Sequence, residues 1–142
     1  MADLHEVETV HTKGMEFVSH IREHEILVDA KEEFGGNNAG PTPKPLLLAS
    51  LAGCTGMDVV SLMNKMRVEY GELRIKVSGE LTEEHPRIYH AIHIDYIVSD
   101  TTEAMKPKIE KAVDLSLTRY CGVTAMLSKA AEITHQIHIE SK

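Results

Sequence analysis

Polar and apolar residues alternate over short stretches in the first thirty positions, and this alternation is typical of β-strands. It predicts strands at residues 4–13, 15–19 and 25–29, with Gly14 in the turn between the first two. Residues 31–40 then collect charges, glycines and asparagines, which indicates a loop. The chain is therefore expected to begin with a small meander of strands.

A long apolar segment follows at residues 42–67, with the sequence TPKPLLLASLAGCTGMDVVSLMNKMR. Thr42 and Pro43 are residue types that begin helices, because a threonine hydroxyl can cap free N–H groups and proline loses no hydrogen bond in the first turn. Apolar side chains then occupy every side of a helix over residues 46–52. We therefore expect a helix that is buried all round.

The second half of the chain predicts a hairpin, two helices and a further strand. Residues 72–82 and 88–99 alternate on either side of a polar turn, which indicates two long antiparallel strands. Apolar residues spaced by three and four indicate a helix from about Lys106 and a shorter one at residues 123–131, and alternation returns at residues 133–140. Strands and helices thus form separate blocks, which predicts an α+β fold with an antiparallel sheet around the helices.

Length and charge narrow the class of the protein. With 142 residues of ordinary composition it fits a single domain, residues 1–142. The formal net charge of −7 and the lack of a basic run argue against nucleic acid and against an anionic membrane surface. The N-terminal residues lack the pattern of a signal peptide, and no uninterrupted apolar run reaches the roughly 18 residues of a membrane span. We therefore expect a cytoplasmic protein without a membrane partner, whose thiols are kept reduced.

Cys54 lies near the middle of the apolar segment, and Gly53 and Gly56 flank it. One interpretation is inert packing, since cysteine is among the residue types most often buried. The other is a protected reaction site, which requires a cation or a helix N-terminus to favour the thiolate. Asp58 follows one helical turn later, where its carboxylate disfavours a thiolate unless it points elsewhere. Because each glycine costs about 1 kcal/mol in a helix, a bend or a close approach of another backbone is expected here.

Cys121 is the second cysteine, and it precedes Gly122 at the predicted start of the last helix. Backbone N–H groups at such a position stabilise a thiolate, and Arg119 is close by in the sequence. The two cysteines do not form a CxxC motif, so any pairing depends on the fold. Since thiols are expected to stay reduced, a permanent structural disulfide is not predicted.

Nine histidines raise the question of a metal site. The close pairs are His90 with His93 and His135 with His138, all on predicted strands, where a spacing of three places the two members on opposite faces. Neither a CxxC nor an HExxH motif is present. We therefore predict no metal site and no cofactor.

Two cysteine motifs in this order resemble a known family. The string PTPKPLLLASLAGCTGMDVVSLMNKM, an alternating hairpin and then KAVDLSLTRYCGVTAMLSKAAEITH are similar to the OsmC/Ohr family, named for osmotically inducible protein C and organic hydroperoxide resistance, and most similar to its YhfA-like branch. The resemblance covers residues from about 14 to 140. It implies an OsmC-like fold in which antiparallel sheets wrap two central helices of an intertwined homodimer.

The resemblance also implies a thiol-dependent peroxidase that acts against oxidative stress. Cys54 matches the peroxidatic cysteine, whose thiolate attacks an organic hydroperoxide, releases an alcohol and becomes a sulfenic acid. Cys121 matches the resolving cysteine, which condenses with that sulfenic acid to a Cys54–Cys121 disulfide. A dithiol, in the family often a dihydrolipoyl protein, then reduces the disulfide. The alternatives are a non-enzymatic redox-sensing or ligand-binding OsmC-like dimer, and an unrelated structural domain with inert cysteines.

The chain departs from the family pattern at the groups that activate the thiolate. In the peroxidase members, an arginine from the N-terminal strands and a glutamate ahead of the cysteine form an activating pair. Lys44 stands at the glutamate position here, about 15 Å from Cys54 along an unbroken helix. Arg22, in a turn between predicted strands, is the arginine that could take part. Arg22, Lys44 and Asp58 are therefore the candidate activating residues, and the Lys44 departure favours the non-enzymatic alternative.

Overall fold

Three short strands build an antiparallel sheet in the N-terminal unit of the chain. The computed structural model describes residues 3–141, so residues 1, 2 and 142 of the predicted domain lie outside it. The strands lie side by side in sequence order: β1 (Glu8–Lys13), β2 (Glu16–Ile21) and β3 (His24–Val28). The three predicted strands are confirmed, but β1 begins later than predicted because its ladder with β2 starts at the Glu8–His20 pair. This unit ends at Leu47, and a second unit follows.

The loop after β3 is organised around Asp29. Its carboxylate accepts hydrogen bonds from the backbone N–H groups of Ala30, Asn37 and Ala39 at 2.7, 3.1 and 3.1 Å. These bonds, led by the one from Ala39, lower the pKa of Asp29. The loop predicted at residues 31–40 is confirmed, with one short turn of 3-10 helix inside it.

The helix that carries Cys54, α1, spans Pro45–Lys65. It begins later than the predicted cap at Thr42. The reason is a tight turn ahead of it, in which the N–H groups of residues 46 and 47 bond three residues back, to the carbonyls of Pro43 and Lys44. Pro45 thus occupies the first helical position, where a missing N–H costs nothing.

A single stripe of α1 is fully buried in the chain. Leu51, Thr55, Val59 and Met63 recur at every fourth position and have no exposed surface. The all-round burial expected over residues 46–52 is therefore wrong for the described chain, since 47% of Leu47 is exposed. By length and composition alone α1 could cross a membrane, but its buried stripe packs into the hydrophobic core. It is the core helix of a soluble domain.

The second unit contains a sheet of three long strands. They are β4 (Glu72–Leu81), β5 (Tyr89–Thr101) and β6 (Glu132–Ser141), in the order β4-β5-β6. The predicted hairpin is confirmed by the antiparallel ladder between β4 and β5. β6 differs from the predicted antiparallel arrangement, because it runs parallel to β5. A parallel neighbour requires a crossover connection, and the intervening helices supply it.

The crossover between β5 and β6 carries the second cysteine. It contains α2 (Lys106–Leu115), a π-helical turn (Ser116–Tyr120) and α3 (Gly122–Leu127). The two predicted helices are confirmed. α3 ends before the predicted residue 131, because the residues that follow form a turn whose N–H groups close on the carbonyl of Leu127.

The core of the second unit is shared by α1, one face of β5, and α2. Its fully buried apolar residues include Leu51, Val59, Met63, Ile94, Tyr96, Val98, Ile109, Ala112 and Val113. Every second residue of β5 faces this core, and every third or fourth residue of α2 does so, as the sequence periodicity predicts. The α+β class is therefore confirmed.

Candidate functional site

The fold brings the two cysteines into contact. Cys54 lies on α1 and is partly exposed, whereas Cys121 lies between the π-helical turn and α3 with only 4% of its surface exposed. Both are free thiols. A hydrogen bond links their side chains. Two residues that are 67 positions apart in the sequence are thus neighbours in the folded chain.

Two backbone N–H groups at the start of α3 bind the sulfur atoms. The N–H of Thr124 donates to Sγ of Cys121, with nitrogen and sulfur 3.4 Å apart. Cys121 is therefore the N-cap of α3, at the helix start where the sequence predicts it. The N–H of Val123 forms a hydrogen bond with Cys54 and lowers its pKa. Bonds of this kind favour the thiolate form of a cysteine.

The pKa of Cys54 is nevertheless raised above its usual value. Burial of the thiol is the largest cause, and the hydrogen bond with Cys121 and the charges of Cys121 and Asp58 raise it further. The Val123 N–H opposes this shift without cancelling it. At neutral pH Cys54 is therefore mostly a protonated thiol.

A chain of hydroxyl groups runs beside the cysteines from Tyr96 to Asp58. The Ser116 hydroxyl donates to Oδ2 of Asp58 at 2.9 Å. Because this uses the single proton of Ser116, Thr55 must donate the 2.7 Å bond to Ser116, and Tyr96 the 2.8 Å bond to Thr55. All three hydroxyl-bearing residues are fully buried. Burial also raises the pKa of Tyr96 to about 12, so near neutral pH the Tyr96 hydroxyl keeps the proton that it donates to Thr55.

The glycines beside Cys54 have different surroundings. A Cβ atom added at Gly56 would lie 3.0 Å from Cδ1 of Ile75 on β4, which is tighter than a normal contact. At Gly53, apart from the chain neighbours and the surrounding helix backbone, no atom of the described residues lies within 4 Å of an added Cβ. The sequence led us to expect the close approach of a backbone, whereas at Gly56 it is a side chain that lies close.

The three candidate activating residues differ in what surrounds them. Asp58 is held by Ser116, and its charge raises the pKa of Cys54, which opposes formation of the thiolate. Lys44 is exposed and immediately precedes the first residue of α1. Arg22 lies in the turn between β2 and β3 with a left-handed φ of 53°, and its Nη1 is 3.6 Å from Glu23. The electrostatic effect of Asp58 on Cys54 is thus opposite to activation.

Two histidines meet at one carboxylate on the second sheet. Nε2 of His138 lies 2.8 Å, and Nε2 of His93 lies 3.2 Å, from Oδ1 of Asp95. Their hydrogen bonds, led by the one from His138, lower the pKa of Asp95. The sequence did not predict the contact of His138 with Asp95, because it depends on the parallel pairing of β5 with β6. Within residues 3–141, no group of three or more His, Cys, Asp or Glu side chains is arranged to hold a metal ion.

Thr55, Tyr96 and Ser116 are the residues of the site that the sequence analysis did not single out. Tyr96 and Ser116 each occupy a polar position on an otherwise apolar, inward-facing stripe of a predicted element. A polar group at a core position requires a hydrogen-bond partner. That requirement is a signal by which both residues could have been found, whereas their common partner Thr55 could be found only from the fold.

Comparison with known proteins relates this fold to a family. The family model described as OsmC-like protein matches residues 35–136. The chain belongs to the OsmC-like family. This OsmC-like protein is 35% identical to Protein YhfA of Escherichia coli (strain K12) over 116 residues, which cover 82% of the chain and 83% of YhfA. The resemblance to the OsmC/Ohr family seen in the sequence is therefore confirmed.

Solved structures show the same architecture. The OsmC-like protein superposes on a hypothetical protein from Aquifex aeolicus VF5 with a TM-score of 0.81 and 31% identity, over 98% of this chain and 99% of that one. It also superposes on an organic hydroperoxide resistance protein from Elizabethkingia anophelis with a TM-score of 0.66 and 15% identity, over 100% of both chains. The second likeness is one of fold.

Proposed function

We propose that this protein is a thiol-dependent peroxidase that reduces organic hydroperoxides to alcohols. The observation that carries the proposal is the contact between the partly exposed Cys54 and the buried Cys121. A peroxidase of this type needs one thiol that a peroxide can reach and a second close enough to close a disulfide. The fold shared with an organic hydroperoxide resistance protein supports the same chemistry.

The proposed reaction has three balanced steps. The Cys54 thiolate attacks one oxygen of the hydroperoxide, so that a sulfur–oxygen bond forms, the oxygen–oxygen bond breaks, and the alkoxide leaves as an alcohol after taking up a proton. The Cys121 thiol then attacks the sulfenic sulfur of Cys54, the disulfide forms, and water leaves. An external dithiol, for which a dihydrolipoyl protein is the proposed class, supplies two electrons and two protons and restores both thiols.

Deprotonation of the Cys54 thiol is the unfavourable step of this reaction in the protein. The pKa of the thiol is raised mainly by burial, and the Val123 N–H is a backbone group that offsets part of the shift. Arg22 and Lys44 are the proposed cationic activators. If either reaches the thiolate, replacing it with glutamine raises the pKa of Cys54 and slows its alkylation near neutral pH. A rate unchanged in both variants removes these two residues from the mechanism.

A homodimer is the proposed assembly, and the exposed face of α1 is the proposed contact. That face lines a mostly apolar groove together with β4. The groove is formed by Ala52, Gly53, Gly56, Met57, Val60, Leu73 and Ile75, with the polar Ser61 and Asn64. Met57→Glu would place a charge in this contact and is expected to produce a monomer. Light scattering coupled to size-exclusion chromatography measures the mass, and a monomeric wild-type protein contradicts the proposal. We further propose that the chain acts as one OsmC-like domain in the cytoplasm.

The assay that tests the peroxidase couples cumene hydroperoxide to dihydrolipoamide. Wild-type protein is expected to consume the hydroperoxide and produce one alcohol for each dithiol oxidised, and Cys54→Ser is expected to abolish this turnover. Cys121→Ser should still react once with peroxide and then accumulate the sulfenic acid, which dimedone traps for mass spectrometry. If wild-type protein consumes the hydroperoxide no faster than Cys54→Ser, the enzymatic proposal is contradicted.

A non-enzymatic redox-sensing or ligand-binding dimer is the second candidate function, and Lys44 at the position of the activating glutamate favours it. A thiol that is mostly protonated reacts slowly with peroxide, which opposes rapid turnover. Its signature in the same assay is a Cys54–Cys121 disulfide that forms stoichiometrically with peroxide while the dithiol is not consumed catalytically.

A further inference from the structure

Ser116 makes contacts that reach both cysteine-bearing segments. Its hydroxyl accepts a hydrogen bond from Thr55, the residue after Cys54, and donates one to Asp58, one helical turn farther along α1. Its carbonyl oxygen accepts the N–H of Cys121 at 2.8 Å. Ser116 therefore contacts the backbone of Cys121 and the side chains of Thr55 and Asp58. These two residues follow Cys54 on α1.

The surroundings of Ser116 make these contacts specific. Ser116 and Thr55 have no exposed surface, so solvent does not compete for their hydrogen bonds. The Ser116–Cys121 bond spans five residues and belongs to the π-helical turn, an arrangement that is rare and appears mostly as single turns at functional sites. A shift of this turn against α1 would break at least one buried hydrogen bond and would move Cys121 at the same time.

We propose that Ser116 is a positioning residue that sets the separation of the two sulfur atoms and thereby determines how readily the Cys54–Cys121 disulfide closes. Disulfide formation is sensitive to this separation, because the two Cβ atoms must approach to about 3.5–4.5 Å with a defined dihedral angle. The proposal rests on the disulfide of the proposed function but not on peroxide turnover.

The test measures the disulfide equilibrium against glutathione. Protein dithiol and glutathione disulfide exchange to give protein disulfide and two molecules of glutathione, so electrons and protons balance without peroxide. Each mixture is quenched with acid and alkylated with a maleimide, and intact-mass spectrometry gives the oxidised fraction. The equilibrium constant measures how well the folded chain holds the thiols for closure.

Matched variants separate position from general stability. Thr55→Val removes the hydroxyl at constant shape, Thr55→Ser keeps it, and Ser116→Ala removes the central hydroxyl. The equilibrium constant is expected to fall about three- to tenfold in Thr55→Val and Ser116→Ala, the factor that one buried neutral hydrogen bond supplies. Thr55→Ser should stay within about twofold of wild type. The control is Thr118→Val, which removes an exposed hydroxyl of the same π-helical turn.

Several results would overturn the proposal. They are an unchanged or increased constant in both Thr55→Val and Ser116→Ala, and a fall in Thr55→Ser as large as that in Thr55→Val. Tyr96→Phe provides the second decisive variant if Ser116→Ala does not fold, because it removes the far end of the hydroxyl chain and leaves both Ser116 contacts intact. Tyr96→Phe should change the equilibrium constant with glutathione by less than about twofold. A larger fall would mean that lost stability, and not the position of the thiols, lowers the constant.

Failure of the peroxidase is distinguishable from failure of this proposal. A wild-type protein that closes the disulfide against glutathione but consumes no hydroperoxide contradicts the enzymatic function alone. A wild-type protein that forms no Cys54–Cys121 disulfide at any glutathione ratio contradicts the role of Ser116.

Discussion

The carboxylate of Asp58 accepts a 2.9 Å hydrogen bond from the hydroxyl of Ser116. This bond fixes a negative charge one helical turn beyond Cys54, and that charge raises the pKa of the thiol. The carboxylate is thus a structural partner of the crossover, and electrostatically it acts against the thiolate. The Ser116–Asp58 contact links α1 to the segment that carries Cys121, and the charge that it holds in place favours the protonated form of Cys54.

Replacement of Asp58 by asparagine is expected to make Cys54 more reactive. Asp58→Asn removes the negative charge while its side-chain oxygen can still accept the Ser116 bond. The pKa of Cys54 should fall, and the rate of alkylation by iodoacetamide at pH 7 should rise about two- to fivefold, as expected for one partly screened charge. Alkylation is followed by mass spectrometry in a Cys121→Ser background, so that one thiol is counted. Glu110→Gln removes the same charge from the exposed surface of α2 and is the control; equal rates in the two variants would contradict the prediction.

Two methionines should differ strongly in their effect on stability. Met63 is fully buried in the stripe of α1 that faces the core, whereas 65% of Met126 on α3 is exposed. Met63→Ala should lower the free energy of unfolding by about 2–4 kcal/mol, because the lost contacts leave a cavity. Met126→Ala should change it by no more than about 0.5 kcal/mol. Urea denaturation measures the free energy of unfolding of both variants. Similar losses of stability would contradict the burial of Met63 in the core.

Alanine at two glycine positions should have effects of opposite sign. A Cβ at Gly79 would lie 2.6 Å from the ring of Tyr89, so Gly79→Ala must displace that ring and should cost about 1–3 kcal/mol. Gly53 has open space around it in the described chain, and Gly53→Ala should stabilise α1 by about 0.5–1 kcal/mol through helix propensity. Thermal unfolding at low protein concentration compares the two. A stabilising Gly79→Ala variant would be incompatible with the packing of β4 against β5.

Asp95 should contribute to stability in a pH-dependent way. Its pKa in the folded chain is depressed below the ordinary value of 3.8 by the hydrogen bonds from His138 and His93, and Lys76 lies opposite it on β4. A depressed carboxyl pKa stabilises the fold above the unfolded value, and this stabilisation is lost as pH falls through the folded pKa. Asp95→Asn should therefore be less stable than wild type at pH 6, with a difference that shrinks below about pH 4. Unfolding measured from pH 6 to pH 2.5 tests this, and Asp114→Asn is the exposed control. A difference that grows on acidification would contradict it.

The sequence predicts this molecule as far as its contacts are local. Strand alternation, the spacing of apolar residues in α2, and the position of Cys121 at a helix start all depend on a few neighbouring residues, and all are confirmed. The parallel pairing of β6 is different, because an alternating strand looks the same whether its neighbour is parallel or antiparallel. The contact of Ser116 with Asp58 joins residues 58 positions apart, so no window of the sequence contains it.

The sequence likewise predicted only part of the candidate site. Family resemblance selected Cys54 and Cys121, and the fold brings their side chains together. The roles of these residues, and those of Arg22 and Lys44, stay predictions until the thiols are assayed. The hydroxyl chain was missed because its members belong to three separate elements, and each member alone looks like an ordinary polar residue in a core position.

The parallel pairing of β6 also affects when the two thiols can meet. Cys121 lies in a crossover that is anchored to the sheet at Thr101 on one side and at Glu132 on the other. While β6 is detached, that segment is held at one end only, so the effective concentration of its thiol near Cys54 is lower. We therefore expect the Cys54–Cys121 disulfide to close more slowly in a partly folded chain than after β6 has joined the sheet.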